Sequence, residues 1–276
     1  MAPRTLFIDG IALWSPALPG WSQARAALRG EAAPATVAGR RPAPALLAAN
    51  ERRRAPDAVL LALEAAGQAL AGSGHDAASI ASVFTSAHGD LAVTDALCRS
   101  LAADPLLLSP TRFHHSVHNA PSGYWAIASG SQATSTALAA CEHSFAAGLL
   151  EAASLCATDQ APVLLVGCDT AACGALASVN RSRGLLAVAL VLAPRRGVAS
   201  QWALTWSLQP GDEPPPSLRS QAAAALADNA MADALPLFEA LADGAPAALA
   251  LPASATLQLR LVLQPLDPGV RPAPGA

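Results

Sequence analysis

Residues 109–169 read SPTRFHHSVHNAPSGYWAIASGSQATSTALAACEHSFAAGLLEAASLCATDQAPVLLVGCD, and their order decides the fold class. A Thr-rich run at 134–139 is predicted as strand, and it leads into Cys141. A helix is predicted over 142–155 and a second, apolar strand over 163–168. Apolar residues spaced three and four apart mark the helix, and short apolar runs bounded by small residues mark the strands. Strand, corner, helix and strand in succession make a parallel pair with a helix packed across it. The corner also has chemical meaning. A thiol placed there is aimed at the positive end of a helix, which favours thiolate.

Outward from this unit the alternation continues. Residues 6–13 read as a first strand, followed by a short helix near 22–28, and Pro42 and Pro44 end anything regular. A strong helix is predicted over 55–70, with Pro56 near its start, Val59, Leu60, Leu63 and Leu70 as apolar positions, and a Gly-Ser-Gly stop at 72–74. A strand at 82–86, a helix at 91–101, an extended turn at 104–110 and a helix at 116–128 interrupted near Pro121 follow. Beyond the central unit, 185–192 and 202–208 read as a closing hairpin joined by an Arg-Arg-Gly turn. Two Ala/Leu helices are predicted at about 218–229 and 233–243, then a final strand at 256–263 whose TLQLRLVL alternates cleanly.

The expected class is therefore α/β: a mixed, mostly parallel five-stranded sheet flanked by helices, with a C-terminal helix-strand extension. Residues 1–210 are expected as one half-domain and the GDEPPPS stretch at 211–217 as a Pro-rich linker. Residues 218–263 are expected to pack on the same domain and 264–276 to form a disordered tail.

Composition narrows the function. Hydrophobic residues make up 53% of the 276 and charged residues 13%, which excludes a disordered chain and favours an obligate interface. All 17 basic residues are Arg, so neither a Schiff-base lysine nor a Walker-type phosphate loop is present. With a net charge of −3 and no basic tract beyond Arg52, Arg53 and Arg54, nucleic acid is not an expected partner. The five Cys (98, 141, 156, 168, 173) form no CxxC pair, and the first residues alternate too soon for an export signal, so a reducing cytoplasm is expected. The apolar run at 185–194 has about half the length needed to span a bilayer.

Several side chains are candidates for chemistry. Cys141 reads either as a nucleophile or as a small buried residue in line with Leu138, Phe145, Leu149, Ala152 and Cys156. Glu142 beside it opposes thiolate, and His143, two positions on, does not face it on a helix. His114, His115 and His118 place two imidazoles four apart, a spacing able to chelate zinc, but no third ligand is evident and hydrogen-bonded interface histidines are the preferred reading. Asn119, Tyr124 and Trp125 set a polar group beside scarce aromatic area, fit for an interface, a tunnel wall or plain core. Asp169, at a strand end, reads as a turn or helix cap. No metal or cofactor is expected.

Three blocks carry a resemblance: NERRRAPDAVLLALEAA at 50–66, VFTSAHGDLAVTDALCRSLA at 83–102, and SPTRFHHSVHNAPSGYWAIASGSQATSTALAACEHSFAAGLLEA at 109–152. They resemble the N-terminal half of the β-ketoacyl synthase, or thiolase-fold, family. The likeness is greatest to the short, chain-length-factor-like subunits of aryl polyene and xanthomonadin-type pigment clusters. The resemblance implies half of a thiolase-like fold, with Cys141 at the family's nucleophile position. It also implies a dimer in which the strand at 134–139, bearing Thr134 and Thr136, pairs antiparallel with its counterpart. The segment Phe113, His114, His118, Asn119, Tyr124 and Trp125 would then wall the acyl tunnel or the interface.

The family follows its Cys with small residues and draws two imidazoles from its C-terminal half. Here Glu142 and His143 follow, and the last of the six His is His143. The resemblance therefore implies a subunit that is not an enzyme by itself. Its expected partners are a catalytic β-ketoacyl synthase, in a heterodimer, and an acyl carrier protein through that complex. An acyltransferase or thioesterase using Cys141 with His114, His118 or His143 is the alternative.

Overall fold

The computed structural model describes residues 3–35 and 41–267. Its strands are β1 (Arg4–Ser15), β2 (Leu18–Pro19), β3 (Ala81–Thr85), β4 (Ser135–Leu138), β5 (Val163–Asp169), β6 (Leu186–Ala193), β7 (Trp202–Pro210), β8 (Ala247–Pro252) and β9 (Leu257–Pro265). Its helices are α1 (Trp21–Leu28), α2 (Ala49–Arg54), α3 (Asp57–Leu70), α4 (Leu91–Ala103), α5 (Pro110–His115), α6 (Ala120–Ser129), α7 (Ser144–Asp159), α8 (Gln221–Ala224) and α9 (Leu235–Asp243). The strands join in one sheet of order β4-β3-β5-β6-β1-β7-β9-β8, with β2 paired to β1.

Side chains alternate across the sheet and build a core on each face. From β6, Leu186, Val188, Leu190 and Leu192 meet α7, α1 and α9, while Ala187, Ala189 and Val191 meet α3 and α6. The α/β class and the mixed sheet flanked by helices are as expected. The finer count is not. Among the described residues nine strands replace five, and only β3–β4 and β3–β5 are parallel.

The reason lies in β1. It is twelve residues long and serves two neighbours, pairing antiparallel with β7 over 4–8 and with β6 over 7–14. The expected hairpin between β6 and β7 is thus absent, because β1 lies between them. Direct pairing of those two would leave a strand buried along most of its length on an edge. The register shifts between Ile8 and Gly10. Gly10 is needed there: a Cβ would stand 2.0 Å from the carbonyl oxygen of Ala69, where the end of α3 crosses the strand.

Other boundaries also move. Pro121 starts α6 rather than interrupting it, since its missing N–H falls among the first-turn donors that need no helical partner. The helix expected over 218–229 shrinks to four residues. Its entry is held by buried Glu239, which accepts from the amides of Arg219 and Ser220. β8 replaces part of the expected C-terminal extension, pairing antiparallel with β9. β9 runs to Pro265, so residues 264 and 265 belong to the sheet, and the rest of the expected tail from 268 onward lies outside the described residues. Residues 211–219 carry no helix or strand.

Candidate active-site corner and cleft

β4 ends at Leu138, and the chain turns through a single helical turn at Cys141–His143 into α7. Cys141 makes the turn itself, with φ of 51° in the left-handed region that costs a non-glycine residue about 1 kcal/mol. Such strain persists only where surrounding contacts hold it. Here Ala140 N donates to Ser144 Oγ at 3.0 Å, Ser144 Oγ–H donates to the carbonyl of Cys141 at 2.7 Å, and Thr85 Oγ1 donates to the carbonyl of Ser144 at 2.8 Å. Gly148 lets α7 sit close behind the corner, since a Cβ there would meet Thr85 Cγ2 at 2.7 Å. A nucleophile elbow has this construction: strand, strained residue, helix.

Cys141 is exposed, so the buried reading of its side chain fails, although Phe145, Leu149, Ala152 and Cys156 do form the buried face of α7. The thiol opens on a cleft of about 870 Å³. His88, Glu142, His143, Arg181, Asn229 and Asp233 also line it. His143 Nε2 stands 3.7 Å from Glu142 Oε1. No hydrogen bond to Cys141 Sγ occurs among the described residues.

Two carboxylates set the electrostatics near the cleft: Asp233 lines it, and Asp169 lies at the end of β5. Asp169, at the end of β5, accepts from Ser86 Oγ at 2.7 Å and from the amides of Ala87 at 2.9 Å and His88 at 3.3 Å. It staples the loop after β3, and burial pushes its carboxyl above the usual range against those hydrogen bonds. Asp233 Oδ2 accepts from Phe145 N at 2.9 Å, within the first turn of α7. Its Oδ1 is sealed from solvent with no hydrogen-bond partner among the described residues. Burial, with the charge of Asp169 adding, pushes the Asp233 carboxyl up to about 7, while amides including those of Phe145 and Ala146 pull it down. Asn229 Nδ2 donates to the backbone carbonyls of Asp169 and Arg183 and ties the end of β5 to the loop before β6.

The remaining sequence candidates gather elsewhere. α5 ends at His115, so His114 and His118 share no helical face. His118 Nε2–H donates to the carbonyl of Ser86 at 2.9 Å, and His115 Nε2 pairs with Tyr124 Oη at 2.8 Å. Burial, then the neighbouring His114, lowers the His115 pKa; burial, then Glu51, raises that of Tyr124. Trp125 is core, 1% exposed and packed near Phe84. Phe113 is 64% exposed, and Ile127 on α6 is 81% exposed. Asn119 precedes α6 without a side-chain cap bond. Thr134 and Thr136 lie at β4, which is one edge of the sheet. No group of three or more His, Cys, Asp or Glu able to hold a metal occurs among the described residues. No described helix is long and apolar enough to cross a membrane.

The sequence reading missed His88, Asn229 and Asp233. Asp233 sits 88 residues from the amide it accepts from, within an Ala-rich stretch, and nothing local marks it as a cap for a distant helix.

No curated protein sequence matches the chain. Among solved structures, a chain of the ketosynthase (ApeO) in complex with its chain length factor (ApeC) from Xenorhabdus doucetiae is similar with a TM-score of 0.70. The identity is 23%, over 94% of this chain and 99% of that one. A chain of AntDE:AntF, a type II polyketide acyl carrier protein in complex with its ketosynthase, aligns with a TM-score of 0.73 at 9% identity. That alignment covers 96% of this chain and 100% of that chain. A chain of the ishigamide ketosynthase/chain length factor aligns with a TM-score of 0.67 at 16% identity, over 95% and 100%. These likenesses establish the thiolase-like fold. A family model described as the N-terminal domain of β-ketoacyl synthase matches residues 20–255, and the chain belongs to that family.

Proposed function

We propose that this chain is a non-catalytic ketosynthase-like subunit that pairs with a catalytic β-ketoacyl synthase and shapes its acyl tunnel during polyene-type elongation on an acyl carrier protein. One observation carries the reading: the nucleophile's corner is kept at Cys141, yet no imidazole is bonded to its sulfur. The imidazoles of the cleft are His88 and His143, the latter beside Glu142. Decarboxylative condensation needs a base and an oxyanion partner at the thiol, and in this reading the partner subunit supplies the chemistry.

The edge of β4 supports the pairing. Ser82 N donates to the carbonyl of Thr134, and Ser86 N to that of Leu138. By the alternation of a parallel ladder, Ser135 and Ala137 turn their N–H and C=O outward, free to pair with a second strand. Phe113 and Ile127 add exposed apolar surface. The pairing is supported by the occurrence of structurally similar chains in solved complexes of a ketosynthase with its chain length factor. Co-expression with a catalytic ketosynthase tests the proposal. A stable complex in which only the partner's cysteine carries acyl groups supports it, and a well-behaved monomer with no affinity for the ketosynthase counts against it.

The exposure and strained φ of Cys141 favour a second reading, an acyltransferase or thioesterase. A stoichiometric thioester on Cys141 after incubation with acyl carrier protein, lost in Cys141→Ala, would promote it.

A further inference from the structure

We infer that Asp233 is an autoinhibitory residue: by capping α7 it withholds from Cys141 the anion-stabilising end of the helix behind the corner. The inference rests on the non-catalytic reading and supplies a cause for it beyond the missing imidazoles. A helix offers an anion its first few N–H groups and the partial positive charge they carry. In α7 the first two of those donors are already engaged. Ser144 N donates to the carbonyl of Cys141, and Phe145 N donates to Asp233 Oδ2 at 2.9 Å.

The carboxylate arrives from the single turn Ala232–Ala234 just before α9, so it belongs to the C-terminal part of the chain. It lines the same cleft as the thiol. A thiolate, or an oxyanion formed on an acylated sulfur, would compete with a fixed internal anion for the same dipole. The other charged or titratable groups of the cleft do not fill that role. Glu142 and His143 lie on the corner, His88 follows β3, and Arg181 lies between β5 and β6; Asp169, which does not line the cleft, is held by Ser86 and two amides. Asp233 alone among them accepts from α7. Its unpartnered Oδ1 and its position at the turn make the contact electrostatic as much as structural.

The test is site-resolved alkylation of the full-length chain with iodoacetamide, in which the sulfur displaces iodide, read by peptide mass spectrometry at pH 8.5, above the value of about 7 to which burial raises Asp233. Exposed Cys98 on α4 is the internal reference, and buried Cys156 and Cys168 report unfolding. In Asp233→Asn the cap keeps an acceptor but loses its charge. The Cys141/Cys98 rate ratio should rise about 2- to 5-fold, the fold-change equivalent of one helix-end charge interaction, with Cys156 and Cys168 still protected. Asp233→Glu should leave the ratio near that of the parent chain. An unchanged ratio in Asp233→Asn overturns the inference and leaves the partner-subunit reading standing. A rise accompanied by labelling of Cys156 and Cys168 overturns it too, since that reports loss of fold. Rapid acylation of the unsubstituted Cys141 by an acyl carrier thioester sinks the non-catalytic reading, and this inference with it.

Discussion

At the scale of single residues, the two raised carboxylates make stability depend on pH in a direction opposite to that of a salt-bridged acid. The folded chain holds a proton on Asp233 up to about pH 7, and burial likewise raises Asp169. An unfolded chain releases those protons near pH 4. Between these values the folded state binds more protons, so stability falls as pH climbs from about 4 to about 7 and then levels off. For Asp233 the change is about 4 kcal/mol, which moves Tm by roughly ten degrees in a chain of this length. His115 acts in the opposite sense: burial lowers its pKa, so its contribution is present above its ordinary value of 6.5 and is lost as pH falls below that through the lowered folded value. The comparison that isolates Asp233 is therefore between variants. Asp233→Asn should show a smaller drop in Tm from pH 5 to pH 7.5 than the parent chain, measured by calorimetry. An equal drop would mean that Asp233 is ionised throughout.

At the scale of elements, two close approaches, one of α3 on β1 and one of α7 behind the corner, can be tested separately. Gly10→Ala drives a methyl against the Ala69 carbonyl and should cost about 1–3 kcal/mol, read as a lower denaturant midpoint with an unchanged slope. Gly148→Ala presses on Thr85, whose hydroxyl holds Ser144. It should cost a similar amount and also alter the labelling rate of Cys141, which Gly10→Ala should not.

These elements also show what sequence can and cannot tell. α3, α7, β3 and β5 were legible because periodicity, Pro56 and the Gly stop are local signals. β8 was not, because AALALP has the composition of a helix and becomes strand only by pairing with β9. The false hairpin arose because adjacency in sequence hid a twelve-residue β1 lying between β6 and β7. At the site, the corner was legible from the order of elements. The sharpness of its turn was not, since Glu142 and His143 argued against small-residue geometry and the left-handed φ falls on Cys141 itself. Asp233 was beyond reach for a physical reason: a cap contributed from 88 residues away leaves no trace in the spacing near the helix it caps.

At the scale of the whole molecule, the sheet presents two unequal edges. β8 is flanked by Pro246 and ends at Pro252, which lacks the N–H an added strand would need. β4 is short and rich in Ser and Thr, and no proline interrupts it. Of the two, β4 is the edge open to continuation, and the exposed Ile127 lies on α6, which packs beside it. That asymmetry predicts where a partner docks and how to abolish docking without harming the fold. Ala137→Pro removes an outward N–H while leaving the β3 ladder of Thr134 and Leu138 in place. It should change Tm little, yet eliminate co-purification with the ketosynthase. Ile127→Arg, at a position 81% exposed, should leave the isolated chain intact and weaken the complex tenfold or more, because a desolvated, unpaired charge at an interface costs at least about 1.4 kcal/mol. Retention of full affinity in both variants would move the interface away from β4, and with it the proposed wall of the tunnel.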